Sequence, residues 1–201
     1  MQHTIEIENG PTLILRSLTE EEAIKLQDKK TASMMLAKEK KYDANLLDDG
    51  DEEILQCVIS PSREELNELI EDKPFLTFKL HEVLLEISGF NQPIEKVEEV
   101  EQNEEMVKKY TKRIIGFKIN DTIIGCKKIS RLAAKLMYKE VAASGWMSSK
   151  TLVKAMKEHL LPEYREEANK LFSEYGCASM QLAGALFNLA FVQVNDFAGK
   201  A

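Results

Sequence analysis

Residues 175–195, YGCASMQLAGALFNLAFVQVN, run for 21 positions without a charge in a 201-residue chain of which 30% is Asp, Glu, Lys or Arg. Small residues (Ala178, Ala183, Gly184, Ala185, Ala190) lie among Leu182, Leu186, Phe187, Leu189, Phe191 and Val194. A helix with that surface can approach a second helix closely, and without a partner it leaves a sticky face in water. The stretch therefore reads as an assembly element, with Met180, Ala183, Leu186, Phe187, Ala190, Phe191 and Val194 as its candidate interface. Its length approaches that of a membrane span. Ser179, Gln181, Asn188 and Gln193 interrupt it, however, and no basic cluster flanks it closely, so a buried or interface helix is expected, with no membrane insertion.

Upstream, other helical patterns dominate. Ile129, Leu132, Ala133, Leu136, Met137 and Val141 form one apolar face, ending at Ser144-Gly145. Leu152, Val153, Met156 and Leu160 form the next, ending near Pro162. Tyr164, Ala168, Leu171, Phe172 and Tyr175 follow, broken at Gly176. Trp146, the only tryptophan, is either core or a further interface anchor. Segments 113–119 and 122–126 flank Asn120-Asp121 and read as a hairpin, the alternative being continued helix. Gly116 and Gly125 then mark bulges or close packing.

The chain opens on a hairpin. His3, Ile5 and Ile7 alternate with polar residues, Asn9-Gly10 supplies a tight turn, and Thr12–Arg16 returns. Thr19 and Glu22 form a capping box for a helix reaching about Lys40, with Ala23, Leu26, Met34 and Met35 among its apolar positions. Residues 43–53 hold six acidic residues and no basic one; they lack calcium-loop spacing and read as a solvated turn into a helix. A second capping box, Ser62 with Glu65, starts a helix carrying Leu66, Leu69 and Ile70. Pro74 begins another through Leu76, Leu80, Val83, Leu84 and Ile87, closed by Gly89. Residues 91–109 are rich in Glu and poor in apolar residues, reading as a linker or a solvated helix. The expected fold is mainly α (α+β), multi-helical with a small N-terminal hairpin. Its expected divisions are an N-terminal domain 1–90, an acidic connector 91–109 and a helical domain 110–201.

The formal charge of −7 argues against general nucleic-acid affinity, but it is an average of opposites. Residues 1–109 carry 13 Lys/Arg against 26 Asp/Glu, net −13, and residues 110–201 carry 14 against 8, net +6. Such halves attract one another, within one chain or between neighbours in an array, or are simply two modules with different solvated faces. Lys128, Arg131, Lys135 and Lys139 fall close to one helical side and form a candidate basic face. Only Tyr138 interleaves an aromatic, which favours a solvated or docking face over a base-stacking one.

Chemistry is sparse. Cys57, Cys126 and Cys177 are too far apart for a CxxC pair, so free buried thiols in a reducing compartment are expected. His3, His81 and His159 have no ligand spacing. No phosphate-cradling glycine loop and no nucleophile elbow is present. These readings name no catalytic, cofactor-binding or metal residue, and secretion by an N-terminal signal is not expected.

Three segments carry a family likeness: TLILRSLTEEEAIKL (12–26), LQCVISP (55–61) and FKLHEVLLEISGF (78–90). The order strand, turn, strand, then a helix opened by Leu-Thr resembles tail-associated structural or assembly proteins of large contractile-tailed bacteriophages, including baseplate components and tail assembly chaperones. The resemblance covers residues 3–90 and carries no catalytic residues. It implies a virion structural or assembly protein, located in the virion or host cytoplasm. Other structural proteins of the same assembly, copies of itself included, are its implied partners.

Overall fold

A computed structural model describes residues 2–7, 10–38, 51–111, 113–144 and 147–198. The fold is mainly α with two small three-stranded antiparallel sheets, and the chain divides into two compact units. The first is residues 1–91 with Phe172–Cys177; the second is residues 92–171 with 178–201.

In the first unit, β1 (Gln2–Glu6) pairs with β2 (Thr12–Arg16) in the register Gln2↔Arg16 to Glu6↔Thr12. Asn9 of the expected turn lies outside the described residues, but the Gly10 N–H donates to the Ile7 carbonyl at 2.9 Å. Strand β2 is central, so its inward residues Leu13 and Leu15 are wholly buried. Helix α1 (Glu20–Lys38) starts at the expected capping box: the Glu22 N–H donates to Thr19 Oγ1 (3.3 Å), and the Thr19 N–H donates to Glu22 Oε2 (2.9 Å). Ala23 and Leu26 are buried as expected, whereas Met34 is exposed. The expected helix end near Lys40 and the acidic residues 43–50 lie outside the described residues.

A short helix α2 (Asp51–Leu55) leads into β3 (Val58–Ser60), which pairs with the free edge of β2. Helix α3 (Arg63–Asp72) begins at the complete Ser62/Glu65 capping box and buries Leu66. Helix α4 (Leu76–Ile87) buries Leu76, Leu80 and Leu84. Gly89, at φ 82°, then turns the chain in a conformation that L side chains avoid. Beside it the buried Ser88 accepts the Leu18 N–H on its Oγ (2.8 Å) and the Cys177 N–H on its carbonyl (2.9 Å). The segment Phe172–Cys177 thus belongs to the N-terminal unit, which a division at residue 110 does not anticipate.

The second unit opens where a connector was expected. Residues 91–109 contain β4 (Ile94–Val97), α5 (Glu99–Gln102) and α6 (Glu104–Tyr110). Of the two alternatives for this segment, the linker gives way to an edge strand, β4, which pairs with β5 (Ile114–Ile119) while Glu95 and Lys96 stay in water, and the solvated helix holds for α6, which buries none of its residues. Strand β5 pairs in turn with β6 (Thr122–Lys127) across Asn120, whose φ of 53° suits a tight turn, so the hairpin reading of 113–126 holds. The β5–β6 register is unbroken, so Gly116 and Gly125 mark close packing; a Cβ at Gly125 would sit 2.6 Å from the Tyr164 ring. Val100, Ile114 and Leu161 form a buried cluster over this sheet.

Helices α7 (Arg131–Ser144), α8 (Ser149–His159), α9 (Arg165–Glu174) and α10 (Ala178–Ala198) complete the chain, with a 3-10 turn at Pro162–Tyr164. Ser148 caps α8 through its Oγ, which accepts the Thr151 N–H at 3.2 Å. Val153 and Met156 on α8, like Ala168 and Leu171 on α9, are buried.

Candidate interaction surfaces

The uncharged helix α10 packs against α8 and touches β4. Leu182 and Ala183 are fully buried, and Leu186 and Phe187 nearly so. Met180 and Ala190 are half-buried. The side chains of Phe191 and Val194, and all of Trp146, lie outside the described residues. The expected interface is therefore corrected for Ala183, Leu186 and Phe187: they fill the core of their own unit. The reason is local. The apolar face of α8 supplies the partner that the isolated α10 pattern lacked. Gly184 meets nothing within 4 Å of a built Cβ, so it does not mediate close helix approach. Among the described residues, no helix is long and apolar enough to cross a membrane.

Helix α7 does the reverse. Ser130 caps it, its Oγ accepting the Ala133 N–H at 3.1 Å. Met137 is buried, but Leu132 is 69% and Leu136 59% exposed, against the expectation that both join a core face. The buried side is rotated toward Ala134, Met137 and Val141, because Arg131, Lys135 and Lys139 must stay in water and pull the adjacent leucines out with them. Those three bases occupy successive turns of the exposed side, next to Leu132, Leu136 and the exposed Tyr138. Among the described residues none offers Arg131, Lys135 or Lys139 an ion pair. Lys128 precedes the helix and points elsewhere. With Lys96 it rims a small cavity of about 80 Å³, walled by Ile115, Ile129, Leu186, Leu189 and Ala190. Glu101 Oε1 lies 3.3 Å from the Lys96 ammonium and 4.0 Å from that of Lys128, so the two bases share one carboxylate.

The first unit carries an exposed face that sequence reasoning missed. Phe75 is 82% and Phe78 68% exposed, with ring centroids 6.2 Å apart. Glu82 and Glu86, also exposed, continue the same side of α4 over the next two turns. The signal was present in PFLTFKL: Phe75 and Phe78 sit on the side of the helix opposite Leu76, Leu80 and Leu84.

Several carboxylates are tied up in structural pairs. Arg16 donates two 2.7 Å hydrogen bonds to the Glu22 carboxylate, which holds that carboxyl at about 2. Burial opposes ionisation of Glu53, but hydrogen bonds from Lys25 (2.6 Å) and Lys29 (2.8 Å) outweigh it and hold the carboxyl at about 2. Burial pushes the Cys57 thiol up to about 11 and those of Cys126 and Cys177 up to about 12, far from nucleophilic thiolates at neutral pH. His159 uses Nδ1 against the Ala155 carbonyl one turn back, at 2.7 Å. Glu163 accepts hydrogen bonds from Tyr110 and Lys109, joining α6 to the 3-10 turn at the surface. Among the described residues no group of three His, Cys, Asp or Glu side chains is placed to hold a metal ion.

Comparison with protein-family models, with curated proteins and with solved structures finds no match to this chain.

Proposed function

We propose that the protein is a non-enzymatic structural or assembly component of a contractile-tailed phage particle, in its tail or baseplate, working through protein–protein contacts. The observation that carries this reading is the pair of exposed apolar faces with charged borders, Phe75/Phe78 on α4 and Leu132/Leu136 on α7. Exposed leucines and phenylalanines in neighbouring turns are the usual mark of a surface that another protein covers. The N-terminal likeness to tail-associated proteins supplies the particular assembly, and with it a place in the virion or host cytoplasm. Ionisable pairs such as Glu53 with Lys25 and Lys29 have a sufficient role in stability, which leaves little for acid–base chemistry.

The decisive experiment is mass spectrometry of purified particles and of tail assembly intermediates from producing cells, after cross-linking. Cross-links from this chain to tail or baseplate subunits support the reading; absence from both particles and intermediates overturns it. A second reading, a cytosolic regulator contacting nucleic acid, is favoured by the exposed Arg131, Lys135 and Lys139, which have no ion pair among the described residues. It requires binding whose log K falls steeply with log salt and is lost on reversing Lys135 and Lys139.

A further inference from the structure

We propose that the α7 face of one copy docks on the α4 face of a second copy of this chain, in a head-to-tail contact. The inference rests on the assembly reading and names one partner within it. Each face has an apolar centre and a charged border, and the charges are opposite. On α4 the centre is Phe75 and Phe78, exposed and in ring contact, followed on the same side by Glu82 and Glu86 and preceded by the exposed Glu71 and Asp72. Lys79, also exposed, is 3.2 Å from Glu82 and leaves the border net acidic. On α7 the centre is Leu132 and Leu136, one turn apart, flanked by Arg131, Lys135 and Lys139.

The two helices match in length, 12 and 14 residues, or about 18 and 21 Å. Laid side by side in parallel, with leucines on phenylalanines, they bring Glu82 near Lys139. The apolar centre separates this partner from nucleic acid, since phosphates gain nothing from Leu132 and Leu136 while exposed aromatic rings do. The net charges, −13 over residues 1–109 and +6 over 110–201, make the copies mutually attractive only in this heterologous sense. Such a contact leaves one face of each kind free at the ends, so association continues past the dimer unless it closes into a ring.

The test is sedimentation velocity over a concentration series at low and high salt, on the full chain and two variants. E82K/E86K keeps only the α7 face intact, and K135E/K139E keeps only the α4 face. All four positions are solvent-facing, and circular dichroism checks that both variants are folded. The wild-type chain is expected to grow in mass with concentration, less so at high salt. Each variant alone is expected to be monomeric, its self-association weakened about 100-fold or more by like charges brought together. In a 1:1 mixture the intact α7 face of one variant meets the intact α4 face of the other, and the two reversed faces are again opposite in charge, so the mixture is expected to associate past the dimer. A wild-type chain that stays monomeric throughout overturns the proposal, as does a variant that associates like the wild type, or a mixture that stays monomeric. A monomeric wild type that shifts nucleic acid through Lys135 and Lys139 assigns the basic face to nucleic acid instead. A monomeric chain that still cross-links to tail subunits in particles overturns only the self-contact. A self-associating chain absent from particles overturns only the phage reading.

Discussion

Helices α7 and α10 lie in the same unit and both carry leucines in neighbouring turns, yet one exposes them and the other buries them. In α10 no charge intervenes until Asp196, so any side can face inward, and Leu182, Ala183, Leu186 and Phe187 do. In α7 the bases at 131, 135 and 139 claim about a third of the circumference for solvent, and Leu132 and Leu136 fall within or beside that arc. The contrast shows that apolar content alone does not predict burial. The charge pattern next to it decides which way the helix turns.

The largest effect follows from this directly. Leu186→Ala or Phe187→Ala should destabilise the protein by about 3–5 kcal/mol in urea unfolding, whereas Leu136→Ala should cost less than about 0.5 kcal/mol. Equal costs for Leu186 and Leu136 would mean that α7 is packed in solution, and the contrast would collapse.

Next in size is acid sensitivity, which belongs to the first unit rather than to the uncharged α10. Glu22 and Glu53 have folded-state values of about 2 against an ordinary 4.5, so their stabilisation is complete above about pH 5 and is lost as pH falls toward 2. Each contributes on the order of 2 kcal/mol. Hydrogen exchange across that range should rise first in residues 20–38 and 51–60, and Glu53→Gln should flatten the trend. Protection lost first in α10 would contradict the assignment.

Two glycines sharpen the comparison further. Gly125→Ala pushes into the Tyr164 ring and Leu161 Cδ1 and should cost about 1–3 kcal/mol. Gly184→Ala, in the interior of α10 with open space around it, should instead stabilise by about 0.5–1 kcal/mol. A loss at Gly184 in thermal unfolding would reveal a close neighbour of α10.

The smallest signal is kinetic. Cys57, Cys126 and Cys177 are all buried with raised thiol values, so a thiol reagent at pH 8 should label the native chain slowly and the unfolded chain at once. Fast native labelling of Cys177 alone would place local opening at the start of α10.

What could be read without coordinates was whatever depends on a few adjacent residues. The Thr19/Glu22 and Ser62/Glu65 boxes and the alternation around Leu13 and Leu15 are satisfied within a turn or a strand pair, so their pattern is complete in the sequence itself. The exposed Phe75 and Phe78 were legible in principle, from their position opposite the buried leucines of α4.

Three features depended on distant partners and were settled only in the folded chain. Strand β4 has four residues, too few for a readable period, and it exists because β5 offers an unpaired edge. The segment Phe172–Cys177 joins the first unit through Ser88, nearly ninety residues away in sequence, by a backbone hydrogen bond that no side-chain pattern encodes. The direction of the apolar face of α10 was set by α8, because burial is a property of pairs of surfaces. The sequence by itself determined the helical character, the caps, the N-terminal hairpin and the opposite charges of the halves, and left the second hairpin open against helix. The tertiary structure decided which apolar faces were already taken and which were left for a partner.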